Sequence, residues 1–240
     1  MSQRLVFLGC SLSNEALTSW TRVLAERLDL PYVNLSQPAG NNLLQLHRLS
    51  DYLLSNDYGL DDIFVWQFTA FSRTNFVCPR NLVLDPKNDD RTIVEVLDSN
   101  RVNGNYDYID LPNYFGADVI SLLSNPHLEG IRSRLDPYGL RNLEPLLLQH
   151  VLSTVKLLTA AGHKVVTVFG WDNILAPEHK KQFLRKLKQL STHHVHNNIL
   201  DWCVEKNLEF MDDLHPQDES SIRWATTNVL PILQKILADK

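Results

Sequence analysis

The chain has 240 residues, 44% of them hydrophobic, and a formal net charge of −5. That length and apolar content suffice for one large folded domain, and the negative balance argues against a nucleic-acid polyanion as the main partner. No apolar run long enough to span a membrane and no signal-peptide pattern occur, so a soluble, cytoplasmic protein without membrane contact is expected.

In chain order, Leu5 to Leu8 is a short apolar run ended by Gly9. The stretch from Asn14 to Leu28 carries Leu17, Trp20, Val23, Leu24, Ala25 and Leu28 at helical spacing. Tyr32 to Leu35 predicts a second strand, followed by the loop Pro38 to Asn42 and a leucine-rich helix from Leu43 to Leu54. Ile63 to Phe68 is continuously apolar apart from Gln67, as expected of a strand buried on both faces of a parallel sheet. Leu143 to Ala161 predicts a helix stopped by Gly162, and Lys164 to Phe169 a fourth strand. A helix over about 178–206, broken near Thr192, a fifth strand at Leu208 to Met211, and a helix from Ser220 to Ala238 complete the expectation.

Strands alternating with helices imply an α/β fold in three layers, α/β/α, around a central parallel five-stranded sheet. Residues 1–240 then form a single domain, interrupted after the third strand by a turn-rich insertion at about 74–141, with a lid or substrate-binding role set against a plain surface excursion. In such sheets the ligand site lies beyond the carboxyl ends of the strands. Ser11, Gly40, residues 67–73 and residues 212–215 all follow predicted strands and should converge there.

Two short motifs carry the chemistry. Gly9-Cys10-Ser11-Leu12-Ser13 places a hydroxyl at the end of the first strand, and Asp212-Asp213-Leu214-His215-Pro216 places a carboxylate and an imidazole three residues apart. Together they supply the nucleophile Ser11, the base His215 and the orienting acid Asp212 of an acyl-transfer site. Each has a plainer alternative: Ser11 as a helix N-cap, His215 as a packed loop residue, Asp212 as a cap of the next helix. Cys10, Cys78 and Cys203 are odd in number and widely spaced, against a disulfide framework or a zinc site. His193, His194 and His196 lack nearby carboxylate or thiol partners and read as a surface cluster, so no metal is expected. Arg185, Lys186 and Lys188 read as a solvated helix face.

These motifs resemble the SGNH (GDSL-type) hydrolase family. The first is similar to the family's Gly-Asp-Ser-Leu-Ser block, with Cys10 replacing the aspartate, and Tyr32 to Asn42 resembles the second block. The last block matches best, being followed by a helix with Trp224 and by Leu230-Pro231-Ile232-Leu233. The resemblance implies a flavodoxin-like sheet, a Ser11–His215–Asp212 triad, no metal or organic cofactor, and an oxyanion hole from the Ser11 and Gly40 amides. It covers both ends of the sheet and its helices, but not the 74–141 insertion. The third block departs from the family's Gly-x-Asn-Asp, reading Gln67-Phe68-Thr69-Ala70, which leaves Gln67, Thr69 and Asn41 as candidate side-chain donors. Arg73 is a candidate anion clamp or a brace for the insertion, and Trp66, Phe71 and Trp171, together with Phe68, either line a sugar-binding cleft or pack the core. The function expected is ester hydrolysis, of an O-acetyl or similar group on a small or oligosaccharide substrate. The alternatives are an O-acyltransferase using the same triad and a non-catalytic carbohydrate-binding relative.

Overall fold

The computed structural model describes residues 3–15, 17–37, 42–55, 58–69, 71, 74–79, 106–111, 143–175, 177–190, 192–212 and 215–239. The chain forms two compact units, 1–71 with 147–240, and 72–146. In the second unit the described elements are β4 (Thr74–Pro79) and β5 (Tyr106–Leu111), paired antiparallel from Thr74 against Leu111 to Pro79 against Tyr106.

The first unit holds a parallel sheet of five strands: β1 (Leu5–Leu8), β2 (Tyr32–Asn34), β3 (Ile63–Phe68), β6 (Lys164–Phe169) and β7 (His193–Val195), in the order β2-β1-β3-β6-β7. All residues of β1 and β3 are buried, because helices cover both faces. Alternation sorts their side chains into two cores. Leu5, Phe7, Ile63, Val65, Val166 and Val168 pack with α1 (Trp20–Leu28), α5 (Ile199–Glu205), α6 (Asp218–Asn228) and α7 (Leu230–Ala238). Val6, Leu8, Phe64, Trp66, Phe68, Val165 and Phe169 pack with α2 (Asn42–Leu54), α3 (Leu143–Ala160) and α4 (Pro177–Gln189). The fold class is the α/β/α parallel sheet expected.

Four boundaries differ from the sequence expectation. The fifth strand is β7, not Leu208 to Met211, which contributes only an isolated antiparallel bridge between Phe210 and Pro216. His193-His194-Val195 was masked by its polarity, which an edge strand tolerates because only one residue, Val195, is fully buried. The expected 178–206 helix is accordingly two helices flanking that strand, and the last helix is two segments meeting at Val229, with Pro231 at the start of the second. Proline is tolerated there because first-turn amides have no intrahelical acceptor. The first helix begins only at Trp20, after a 3₁₀ turn at Ser11–Ser13.

At the amino ends of the strands a buried polar cluster closes the sheet. Asp62 accepts from Tyr52 Oη at 2.5 Å, Gly59 N–H at 2.9 Å and Arg4 Nε at 3.0 Å, and its carbonyl meets His163 Nδ1 at 3.1 Å. Burial and then the Asp62 hydrogen bond push the Tyr52 phenol well above its ordinary pKa.

On β7, His194 is half-buried, its Nδ1 lies 3.1 Å from Thr167 Oγ1, and its ring packs on Phe169 with centroids 4.9 Å apart. Burial, followed by the nearby His196 and Lys180, lowers its pKa to about 4. Between about pH 6.5 and 4 the unfolded chain therefore binds a proton that the folded chain refuses, so this group's contribution to stability falls as pH falls across that window. Urea unfolding across it should show wild type losing on the order of 2 kcal/mol more than His194→Phe. Parallel pH profiles for the two proteins would refute this account.

Candidate active site

The Ser11 turn is held by three side chains from different elements, Gln67 and Trp20 buried and Asn34 half-buried. Gln67, fully buried on β3, turns its carboxamide oxygen toward the turn, where it accepts from Cys10 N–H at 3.1 Å, Ser13 Oγ at 3.1 Å and Cys10 Sγ at 3.4 Å. The backbone N–H is an obligate donor, which fixes the oxygen on that side; Nε2 donates to the Phe68 carbonyl at 3.0 Å. Asn34, ending β2, donates to the Ser13 carbonyl at 2.9 Å and to Thr21 Oγ1 at 3.1 Å. Trp20 of α1 donates its indole N–H to the Leu12 carbonyl at 2.6 Å.

Room for Gln67 comes from two glycines. A Cβ on Gly9 would stand 2.8 Å from Gln67 Oε1, and one on Gly170 would stand 2.7 Å from Gln67 Nε2. Gly9 thus serves a close approach as well as ending the strand.

His215 sits on a short closed turn. Met211 N–H donates to the His215 carbonyl at 2.7 Å, Gln217 N–H to the Glu209 carbonyl at 3.0 Å, and Phe210 pairs with Pro216. This fold-back delivers His215 Nε2 to 2.7 Å from Ser11 Oγ, although the two residues are 204 positions apart. The other ring nitrogen, Nδ1, is buried.

Packing between α1 and α6 sets that meeting. Trp20 and Trp224 cross edge to face with centroids 5.5 Å apart, both fully buried. Asp218, at the start of α6, accepts from Ser19 N–H at 2.6 Å, Ser19 Oγ at 2.7 Å and Thr18 Oγ1 at 3.3 Å. Ser19 precedes α1 without capping it by its own hydroxyl, because that hydroxyl is given to Asp218.

The other expected site residues divide. Asp212 is exposed; Asp213, Gly40, Asn41 and Arg73 lie outside the described residues. Gln67 does not face a substrate position as an oxyanion donor would, because its amide is fully enclosed and engaged with the turn. Thr69 is likewise fully buried: Asn42 Oδ1 accepts from its N–H at 3.0 Å, Asn42 Nδ2 donates to its carbonyl at 2.8 Å, and its hydroxyl meets no hydrogen-bond partner among the described residues. Trp66 and Phe71 are core residues rather than cleft walls; the Trp66 indole N–H donates to buried Gln45 Oε1 at 2.6 Å. Trp171 alone of the three aromatics is half-buried, just beyond β6. The Ser11 N–H has no acceptor among the described residues, as an oxyanion donor requires.

Sequence reasoning passed over Asn34, Asn42 and Asp218 as positioning residues. Their common signal was an amide or carboxylate at an element boundary, where side chains satisfy orphan backbone groups.

No protein-family model and no curated protein sequence matches the chain. Among solved structures it is similar to YxiM from Bacillus subtilis, with 12% identity and a TM-score of 0.49, covering 99% of this chain and 58% of that one. It is also similar to TesA, with 15% identity and a TM-score of 0.46 over 92% of this chain and 93% of TesA. A proposed SGNH hydrolase from Slackia heliotrinireducens shows 13% identity and a TM-score of 0.46 over 92% and 94% of the two chains. The chain thus spans under two thirds of YxiM.

Gln67→Ala removes the common acceptor of three donors and opens a cavity, so it should lower the unfolding free energy by about 2–4 kcal/mol. Urea denaturation reads this directly, and a loss below about 0.5 kcal/mol would mean the clamp is dispensable. Asp218→Ala should cost only about 1 kcal/mol, like loss of a helix cap, while speeding hydrogen exchange at the Ser19 amide. Unchanged exchange at Ser19 would show that the link does not hold α1.

Proposed function

We propose that the protein is a serine-dependent carboxylic ester hydrolase. The observation that carries this is the 2.7 Å approach of His215 Nε2 to Ser11 Oγ. In this reading the imidazole carries its proton on the buried Nδ1 and leaves Nε2 to accept the hydroxyl proton. Ser11 Oγ attacks the ester carbonyl as that proton passes to His215, and the Ser11 N–H faces the developing oxyanion. Collapse breaks the bond to the alcohol, which leaves with the proton from His215. Water then attacks the acyl-enzyme by the same route and releases the acid.

Asp212 or its neighbour Asp213 supplies the carboxylate that orients the ring; the Asp-x-x-His spacing supports Asp212. The third-block change is compensated by backbone donors, Ser11 N–H together with Gly40 N–H. The substrate we propose is an acylated carbohydrate with a small acyl group such as acetyl. Support comes from the resemblance of the Ser11 and His215 motifs to the SGNH hydrolases and from half-buried Trp171 at a strand end, suited to stacking on a sugar face.

A fluorophosphonate probe should label the wild-type protein at neutral pH, with the mass increase on the Ser11 peptide. Ser11→Ala should abolish labelling, His215→Ala should slow it by at least about 10³-fold, and Cys10→Ala should preserve it. No labelling of the wild type would favour a binding protein without catalysis. Labelling that survives Ser11→Ala would remove the assignment of the nucleophile.

A further inference from the structure

Two sequence features unused by the ester chemistry, the basic residues of α4 and the histidines of β7, lie against each other in the first unit. Between them is a cavity of about 760 Å³ whose lining includes Lys181, Leu184, Arg185, Lys188, His194 and His196. Such a volume is within the range of small-molecule sites.

Three properties give this cavity a ligand class. Lys181, Arg185 and Lys188 stand at i, i+4 and i+7 on one helix face, where like charges repel rather than stabilise the helix. None of the three has an ion-pair partner among the described residues, whereas the adjacent Lys180 is paired with Asp172. Among the described residues no carboxylate lines the cavity, in a protein whose net charge is −5. All three side chains are exposed to solvent, and several cations with a planar guanidinium among them suit an anion's phosphoryl oxygens.

The floor is of different character. Leu184 is half-buried, and the His194 and His196 rings cross edge to face with centroids 5.5 Å apart. His194 is fixed beneath by Thr167 and Phe169, so its ring is an immobile platform. Lysines beside an edge strand also discourage edge-to-edge pairing. Here, however, β7 itself has none, and the cations occupy the helix face that lines a cavity.

We propose that this cavity binds a phosphorylated small molecule bearing a flat ring, of mononucleotide size, with phosphoryl groups on Lys181, Arg185 and Lys188 and the ring against Leu184, His194 and His196. The site is separate from Ser11 and does not depend on the ester chemistry.

Calorimetry on the whole protein with ATP, adenosine and inorganic tripolyphosphate tests both halves of the site. ATP should bind, and adenosine and tripolyphosphate should each bind at least about tenfold more weakly. Affinity for ATP should fall as salt rises. Lys181→Ala with Arg185→Ala should weaken ATP by about 10²-fold, about tenfold per charge, with the circular dichroism spectrum and Ser11 labelling unchanged. Absence of ATP binding by the wild type, binding insensitive to salt, or equal affinity for tripolyphosphate and ATP would overturn the proposal. So would binding confined to long single-stranded RNA.

Discussion

A single buried carboxamide underlies the geometry of the candidate site. β3 is apolar at every position but Gln67, and a polar side chain fully enclosed at a strand end is costly unless its hydrogen-bonding capacity is met. It is met by the Ser11 turn, whose Cys10 N–H, Cys10 thiol and Ser13 hydroxyl all converge on Gln67 Oε1. The relation is mutual, since these donors would otherwise face hydrocarbon. Gly9 and Gly170 lack side chains where the carboxamide passes, so the turn, the glutamine and both glycines form one unit.

Ser11 and His215 are brought together by a second constraint, acting one layer away. Trp20 bonds the carbonyl of Leu12 with its indole and crosses Trp224 with its ring, so the Ser11 turn is registered on α6, the helix that follows His215. Asp218 joins the start of α6 to the start of α1 through three hydrogen bonds. The 2.7 Å contact between Ser11 and His215 thus results from helix packing as well as from the two loops that present them. Because aromatic burial does not vary with salt or pH near neutrality, this registration is insulated from both.

Much of this was legible in the sequence, for identifiable reasons. Apolar runs such as Leu5 to Leu8 and Ile63 to Phe68 are long enough to declare buried parallel strands, and Ser11 and His215 stood out because each ends such a segment beside a glycine or proline. β7 was missed because three residues, two of them histidines, give no periodicity to read. Gln67 was one of three candidates, with Thr69 and Asn41, for a side-chain oxyanion donor, because its type and position suited that role. Its carboxamide oxygen instead accepts from a backbone amide, a thiol and a hydroxyl 54 to 57 positions away, which no local pattern reports. Trp66 and Phe71 failed as cleft residues for the opposite reason: aromatics at a strand end are core by default when a helix covers that face.

The order of the strands also bears on whether the two proposed sites influence one another. β1, which leads to Ser11, and β7, which carries the histidine platform, are separated by β3 and β6, three interstrand steps or about 14 Å. That lateral distance exceeds the Debye length of about 8 Å at physiological ionic strength, so exposed cations on α4 contribute little to the potential at His215. Any coupling would have to pass mechanically through β6, whose Val166 and Val168 share a core with Trp20 and Trp224 while its Phe169 packs on His194. Rigid parallel strands transmit small displacements poorly unless the core has two discrete packings. Occupancy of the proposed cavity at the edge of the sheet and the proposed ester chemistry at its centre should therefore be energetically independent.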